Sequence, residues 1–185
     1  MRAARSKNPS TDLRDGDAST LPWAAGSFDR VLCVNALHHF SDKVAFVGEA
    51  GRVLTDGGGL ITFGLDPHVG NDRWVIYDMF DGTLATDQRR YPPIDTIWAW
   101  MAAAGFTRTE TFVAMHASRQ RPARDALADG YLDRTATSQL TLLSDVDYRN
   151  GIARIERQIQ AAEKRGDTFE IGSDLRVYAT VGWLP

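Results

Sequence analysis

Residues 29–35 read Asp29-Arg30-Val31-Leu32-Cys33-Val34-Asn35, and this stretch decides the fold. Its apolar run is short and continuous rather than alternating. That pattern suits a strand buried on both faces of a parallel sheet. After a turn over Asn35–Ser41, residues 42–54 carry Val44, Val47, Ala50 and Val53-Leu54 at helical spacing. The string Asp56-Gly57-Gly58-Gly59 then supplies residues that tolerate positive φ and stop a helix. Leu60–Leu65 reads as a second strand, closed by Asp66-Pro67. Strand, helix and strand in that order form a βαβ unit with a right-handed parallel connection.

Outward from this unit the chain alternates. Upstream, residues 1–8 read as a short basic helical end and residues 12–15 as a short strand. Downstream, helices are predicted over 70–81, 94–104, 121–133 and 144–165, with strands over 107–116 and 175–183. Ser144-x-x-Asp147 is a variant capping box, with Asp where Glu or Gln is usual. The predicted class is therefore α/β: a mostly parallel, Rossmann-like sheet with helices on both faces. No boundary between domains is visible, so a single domain over 1–185 is expected.

Composition narrows the function. The chain has 185 residues, 21 basic against 24 acidic, for a net charge of -3. That balance argues against nucleic acid or an anionic membrane as partner. A single cysteine, Cys33, excludes an internal disulfide and a multi-cysteine zinc site. Mid-strand, it reads as core. No apolar run reaches the roughly 18 residues of a membrane span, and the polar first 20 residues do not read as a signal peptide. A cytoplasmic protein is the expectation.

In open parallel sheets, ligands gather at the carboxyl ends of strands. Two such ends stand out: Gly16-Asp17-Ala18 and Asn35-Ala36-Leu37-His38-His39-Phe40. An acidic side chain beside a backbone N–H, as at Asp17-Ala18, can hold an adenine amino group. Small residues such as Asn35 and Ala36 let a ligand approach the main chain. His38 and His39 titrate near neutrality and are candidates for a base, although they equally suit pocket lining or packing. A metal held by His38, His39 and Asp42 lacks a placed third ligand, and no metal is expected.

These blocks resemble a known family. Gly16-Asp17-Ala18-x-x-Leu21-Pro22, Gly26-Ser27-Phe28-Asp29-x-Val31, Asn35-Ala36-Leu37-His38-His39-Phe40 and Glu49-Ala50-x-Arg52-Val53-Leu54 before Gly57-Gly58 are similar to class I S-adenosylmethionine-dependent methyltransferases of the small-molecule type. The resemblance covers residues 1–67 specifically; beyond them it rests on Ala104-Gly105-Phe106 before a strand. It implies S-adenosylmethionine as cofactor, a small-molecule acceptor, and transfer of a methyl group. It implies Asp17, Ala18, Asn35 and Ala36 as cofactor neighbours.

The family's Gly-x-Gly loop, and the acidic strand end after it, do not occur before Asp17. The expectation is a chain lacking the first strand–helix–strand. Such a fragment has an unpaired edge on the Val31–Asn35 strand, a tendency to self-associate through it, and weak cofactor binding. The rival of another class is a non-catalytic remnant, or an interaction module completed by a partner. A nicotinamide-dependent oxidoreductase is disfavoured, because no Gly-x-Gly-x-x-Gly follows a strand.

Residues 68–93 and 118–143 are expected to be substrate-facing insertions. Trp74, Tyr77 and Phe80 fall at three-residue spacing and, with Tyr91, are candidates to line an acceptor pocket; packing of a helix on the sheet explains them as well. Trp98 and Met101 read as core. Arg89-Arg90 suits an anionic acceptor or, more simply, a solvated face.

Overall fold

A computed structural model describes residues 11–185. The basic helical end read at 1–8 lies outside the described residues. The elements in order are β1 (Phe28–Val34), a 3₁₀ turn (Leu37–His39), α1 (Lys43–Val53), β2 (Leu54–Gly64), β3 (Arg73–Trp74), α2 (Val75–Met79), α3 (Thr83–Arg90), α4 (Ile94–Ala103), β4 (Arg108–Pro122), α5 (Ala123–Ala128), α6 (Ser138–Thr141), α7 (Asp145–Glu163) and β5 (Glu170–Trp183).

The chain divides into two compact units. The first comprises the described residues up to Gly64, Ile94–Phe112 and Ala179–Pro185; the second comprises Leu65–Pro93 and Val113–Tyr178. Both segments read as insertions, 68–93 and 118–143, fall in the second unit.

In the first unit, β1 and β2 pair in parallel, with Leu32 opposite Ile61 and Val34 opposite Phe63. The βαβ reading of 29–65 is thus the observed one. α1 begins at Asp42, whose carboxylate accepts from the Ala45 N–H at 2.8 Å. Its buried stripe is Phe46, Val47, Ala50 and Val53. Val44 was expected in that stripe but is exposed, and Phe46 takes its place. No separate turn follows the helix: β2 begins at Leu54 and the glycines Gly57–Gly59 lie within it. Gly57 N–H donates to Pro185 C=O at 2.8 Å, and Thr62 Oγ1 to Thr180 C=O at 3.4 Å. β5 therefore runs antiparallel to β2, and the sheet is mixed. β4 lies beside β5.

Two expectations for this unit fail. Residues 12–15 form no strand; only an isolated bridge joins Asp17 to Thr20. β1 is not buried on both faces. Cys33 is buried, while Leu32 and Val34 are 61% and 59% exposed. Among the described residues, β1 has β2 as its one partner strand. Alternation along a strand puts Leu32 and Val34 on one face, and that face is uncovered.

The second unit surrounds Phe80, Ile76, Leu132, Leu140, Ile155 and Ile159. α7 is capped as its sequence predicts: Ser144 Oγ accepts from the Asp147 N–H at 3.1 Å and donates to Asp147 Oδ2 at 2.6 Å. The helix expected over 70–81 is instead a two-residue strand, Arg73–Trp74, followed by the five residues of α2. β3 pairs antiparallel with β5, Arg73 opposite Asp174 and Trp74 opposite Ser173.

Candidate active site

The carboxyl end of β1 is where backbone conformation departs from the ordinary. Asn35 sits at φ 46°, the one non-glycine residue with positive φ among those described. Asparagine tolerates this left-handed region better than most side chains. Its N–H donates to Phe63 C=O at 2.9 Å, so the reversal is tied to the end of β2. Strained conformations of this kind cluster at binding sites. Ala36 follows, half-buried, and the 3₁₀ turn Leu37–His39 closes with His39 N–H donating to Ala36 C=O at 2.9 Å.

His38 is buried and His39 exposed. Their rings meet at 4.0 Å between centroids, tilted by 43°. Adjacent histidines on a regular strand or helix diverge; the tight turn brings these together. No group of three or more His, Cys, Asp or Glu that could hold a metal occurs among the described residues.

Asp17 is exposed in a tight turn. Its Oδ1 accepts from the Ser19 N–H at 2.8 Å and from Ser19 Oγ at 2.6 Å. Those two bonds hold its carboxyl below the usual carboxylate value. Ala18 and Ala36 both pack against the first unit's core.

The segment after Asp17 is clamped by two residues that sequence reasoning quoted but gave no role. Glu49 accepts from the Leu21 N–H at 2.8 Å, and Arg52 donates to Leu21 C=O at 3.0 Å and Trp23 C=O at 2.9 Å. The two are themselves paired at 2.7 Å. Arg52 holds the Glu49 carboxyl down to about 2. A carboxyl so lowered stabilises the fold above its ordinary value of about 4.3, and that contribution is lost as pH falls towards 2. Glu49→Gln is therefore expected to flatten the acid limb of the unfolding curve between pH 4 and 2. Circular dichroism against pH checks this; an unchanged limb counts against the clamp.

Cys33 is confirmed as core. Its thiol is buried beside the Ala36 and Leu37 backbone and pushed up to about 11. It is expected to react with a thiol reagent at pH 8 only after unfolding, since the thiolate is the reactive form. Stoichiometric labelling of the folded chain within minutes contradicts that.

The aromatic candidates lie in the second unit. Phe80 is fully buried and stacks on Tyr148 at 5.9 Å, so it is core and lines no open pocket. Trp74 and Tyr77 meet edge to face at 5.3 Å. Tyr77 Oη donates to Asp87 Oδ2 at 2.9 Å, and Gln139 Nε2 donates to the same oxygen at 2.7 Å. Tyr91 is buried, and its carbonyl meets His68 Nε2 at 3.0 Å. Arg90, read as half of a solvated face, is instead partly buried and paired with Asp87 at 3.2 Å. Arg89 is exposed, as expected. Met101 is core, but Trp98 is 39% exposed and donates to Thr111 Oγ1 at 3.1 Å. Asp87 and Asp72 were missed altogether, because a lone Asp inside a polar stretch carries no burial signal.

The sequence profile of the methyltransferase-domain family matches residues 1–62. A demethylmenaquinone methyltransferase from Deinococcus radiodurans is 38% identical over 64 residues, 35% of this chain and 27% of that relative. The match thus spans about a quarter of the curated relative. Among solved structures, a methyltransferase attributed to an antibiotic biosynthesis pathway of Anabaena variabilis superposes with a TM-score of 0.65 at 20% identity, covering 89% of this chain and 70% of that one. The fold is that of the class I S-adenosylmethionine-dependent methyltransferases. The YcgJ protein of Bacillus subtilis shares it, with a TM-score of 0.57 at 17% identity over 99% of this chain and 76% of that one. At these identities the structures speak for the methyltransferase fold alone, while the family profile falls on the stretch holding the Asp17 turn and the Asn35 reversal.

S-adenosylmethionine is the cofactor this fold implies, and the residues fit part of it. The Asp17 turn offers a carboxylate, and Ala36 leaves room beside a reversed backbone. A Gly-x-Gly loop for its amino-acid end is absent before Asp17. No helix among the described residues is long and apolar enough to cross a membrane.

Proposed function

We propose that this chain forms part of an S-adenosylmethionine-dependent methyltransferase acting on a small-molecule acceptor. The observation that carries the reading is the left-handed Asn35 at the end of β1, inside the stretch that matches the methyltransferase-domain family. When bound, the cofactor supplies an electrophilic methyl group on a sulfonium. The chain's share is to hold and orient: Asp17 at the adenine end, Asn35 and Ala36 as close-approach backbone, and His38 or His39 as pocket lining or base. Alignment of donor and acceptor is the main requirement of such a transfer.

Calorimetric titration with S-adenosylhomocysteine tests it. Stoichiometric heat that weakens about tenfold in Asp17→Ala supports the reading, one charge-assisted hydrogen bond being worth roughly that factor. Unchanged affinity in the variant removes Asp17 from the site.

A second reading, a remnant or a module completed by another chain, is favoured by one observation: β1 has an exposed apolar face and, among the described residues, an edge that no strand pairs. A folded chain that gives no heat with S-adenosylhomocysteine would support it.

A further inference from the structure

The second unit holds two polar atoms that its own side chains leave unanswered. Asp72 Oδ2 and Trp74 Nε1 are both buried without a hydrogen-bond partner. Trp74 is only 8% exposed. Orphaned buried groups are costly, and native structures rarely keep them without reason. Asp72 stands just before β3 and Trp74 at its end; Trp74 pairs with Ser173 of β5, and the Asp72 carboxylate accepts from the Arg176 N–H of the same strand. A buried acceptor and a buried donor thus belong to one short segment held against β5.

The charged groups around them are mostly engaged with one another. Arg90 answers Asp87, and Arg176 Nη1 pairs with Asp174 at 3.1 Å. Asp72 takes only the Arg176 backbone N–H, on Oδ1 at 2.8 Å. No ion pair reaches it among the described residues. Burial pushes the Asp72 carboxyl up; the Arg176 backbone N–H and the Arg176 charge pull it down, and the nearby Asp174 and Asp66 push it up again. Tyr77, edge-on to Trp74, supplies aromatic surface that favours a cation.

We propose that Asp72 and Trp74 form a recognition site for a small organic ammonium with a neighbouring oxygen. The ammonium donates to Asp72 Oδ2, and the ligand oxygen accepts from Trp74 Nε1. As a statement about the methyl acceptor, this rests on the methyl-transfer reading above; as a binding site it stands alone.

The probe is phenylglycinol, which carries an amine and a hydroxyl, with phenylethylene glycol as the uncharged control. Binding is followed at pH 7 by the indole cross-peak of Trp74, assigned through Trp74→Phe. The amine is expected to shift that cross-peak and bind at least about tenfold tighter than the glycol. Asp72→Asn is expected to abolish the preference. Should Asp72→Asn fail to fold, Asp72→Glu keeps the charge and moves it, and loss of tight binding there carries the same meaning. Equal binding of amine and glycol to the wild type overturns the site, as does an undiminished preference in either folded variant. S-adenosylhomocysteine is titrated into the same samples. Amine binding without it defeats only the acceptor role, and its binding without amine binding defeats only this site.

Discussion

Gly151→Ala is expected to destabilise the second unit, although alanine is the better helix former. Gly151 lies inside α7, where alanine gains about 1 kcal/mol of helix propensity. A Cβ there would stand 2.1 Å from Phe80 Cδ1 and 2.4 Å from Cε1. Phe80 is fully buried and stacked on Tyr148, so the ring cannot step aside without opening the core. Overpacking costs about 1–3 kcal/mol and occasionally more. The clash outweighs the propensity gain, and Gly151→Val, with two more methyls, is expected to leave the unit unfolded at 37 °C. Phe80→Leu in the Gly151→Ala background should recover part of the loss, because the two sites touch and their effects do not add. Thermal melts of the four chains check this; a melting point raised by Gly151→Ala refutes it.

Gly151 also shows where sequence reading stops. The capping pair Ser144 and Asp147 is a local signal, and the structure uses it as the spacing predicts. The βαβ unit was legible for the same reason: a continuous apolar strand, a helical period and a second strand are short-range patterns. Phe80 was different. Its three-residue spacing from Trp74 and Tyr77 looked like one helical face, yet Trp74 ends a strand and Phe80 caps α2. Phe80 packs against a glycine 71 residues away, and no local window contains both. Asp87 was missed for a related reason. Its three donors come from Tyr77, Arg90 and Gln139, and only the fold brings Gln139 near. At the candidate site the strand end at Asn35 and Ala36 was legible, because the apolar run of β1 stops there. The left-handed Asn35 and the tilted histidine rings were not, since they arise in a turn tied to the end of β2.

Concentration-dependent self-association is the other large effect expected. Leu32 and Val34 expose an apolar face beside an edge of β1 that no strand pairs among the described residues. An edge that is apolar and unblocked invites pairing with another strand, and fully burying each such side chain is worth about 1.5–3 kcal/mol. On the same face Arg30 is the one charge, two residues before Leu32; Cys33 separates the exposed pair and the uncharged Asn35 follows. In a symmetric pair both copies contribute, so Leu32→Lys with Val34→Lys removes four buried side chains and sets like charges against each other. The double variant is expected to sediment as a monomer at protein concentrations where the parent chain associates. Both substitutions sit on the uncovered face, whereas Cys33 on the other face keeps α1 in place, so the far-ultraviolet spectrum should be unchanged. The same variant separates the two functional readings. If the β1 surface only sticks copies together, S-adenosylhomocysteine should bind the lysine variant as it binds the parent. If pairing across β1 completes the site, the variant should lose both association and binding. A parent chain that stays monomeric at about 100 μM would remove this surface from consideration, since a dimer held by this much apolar burial should be well populated there.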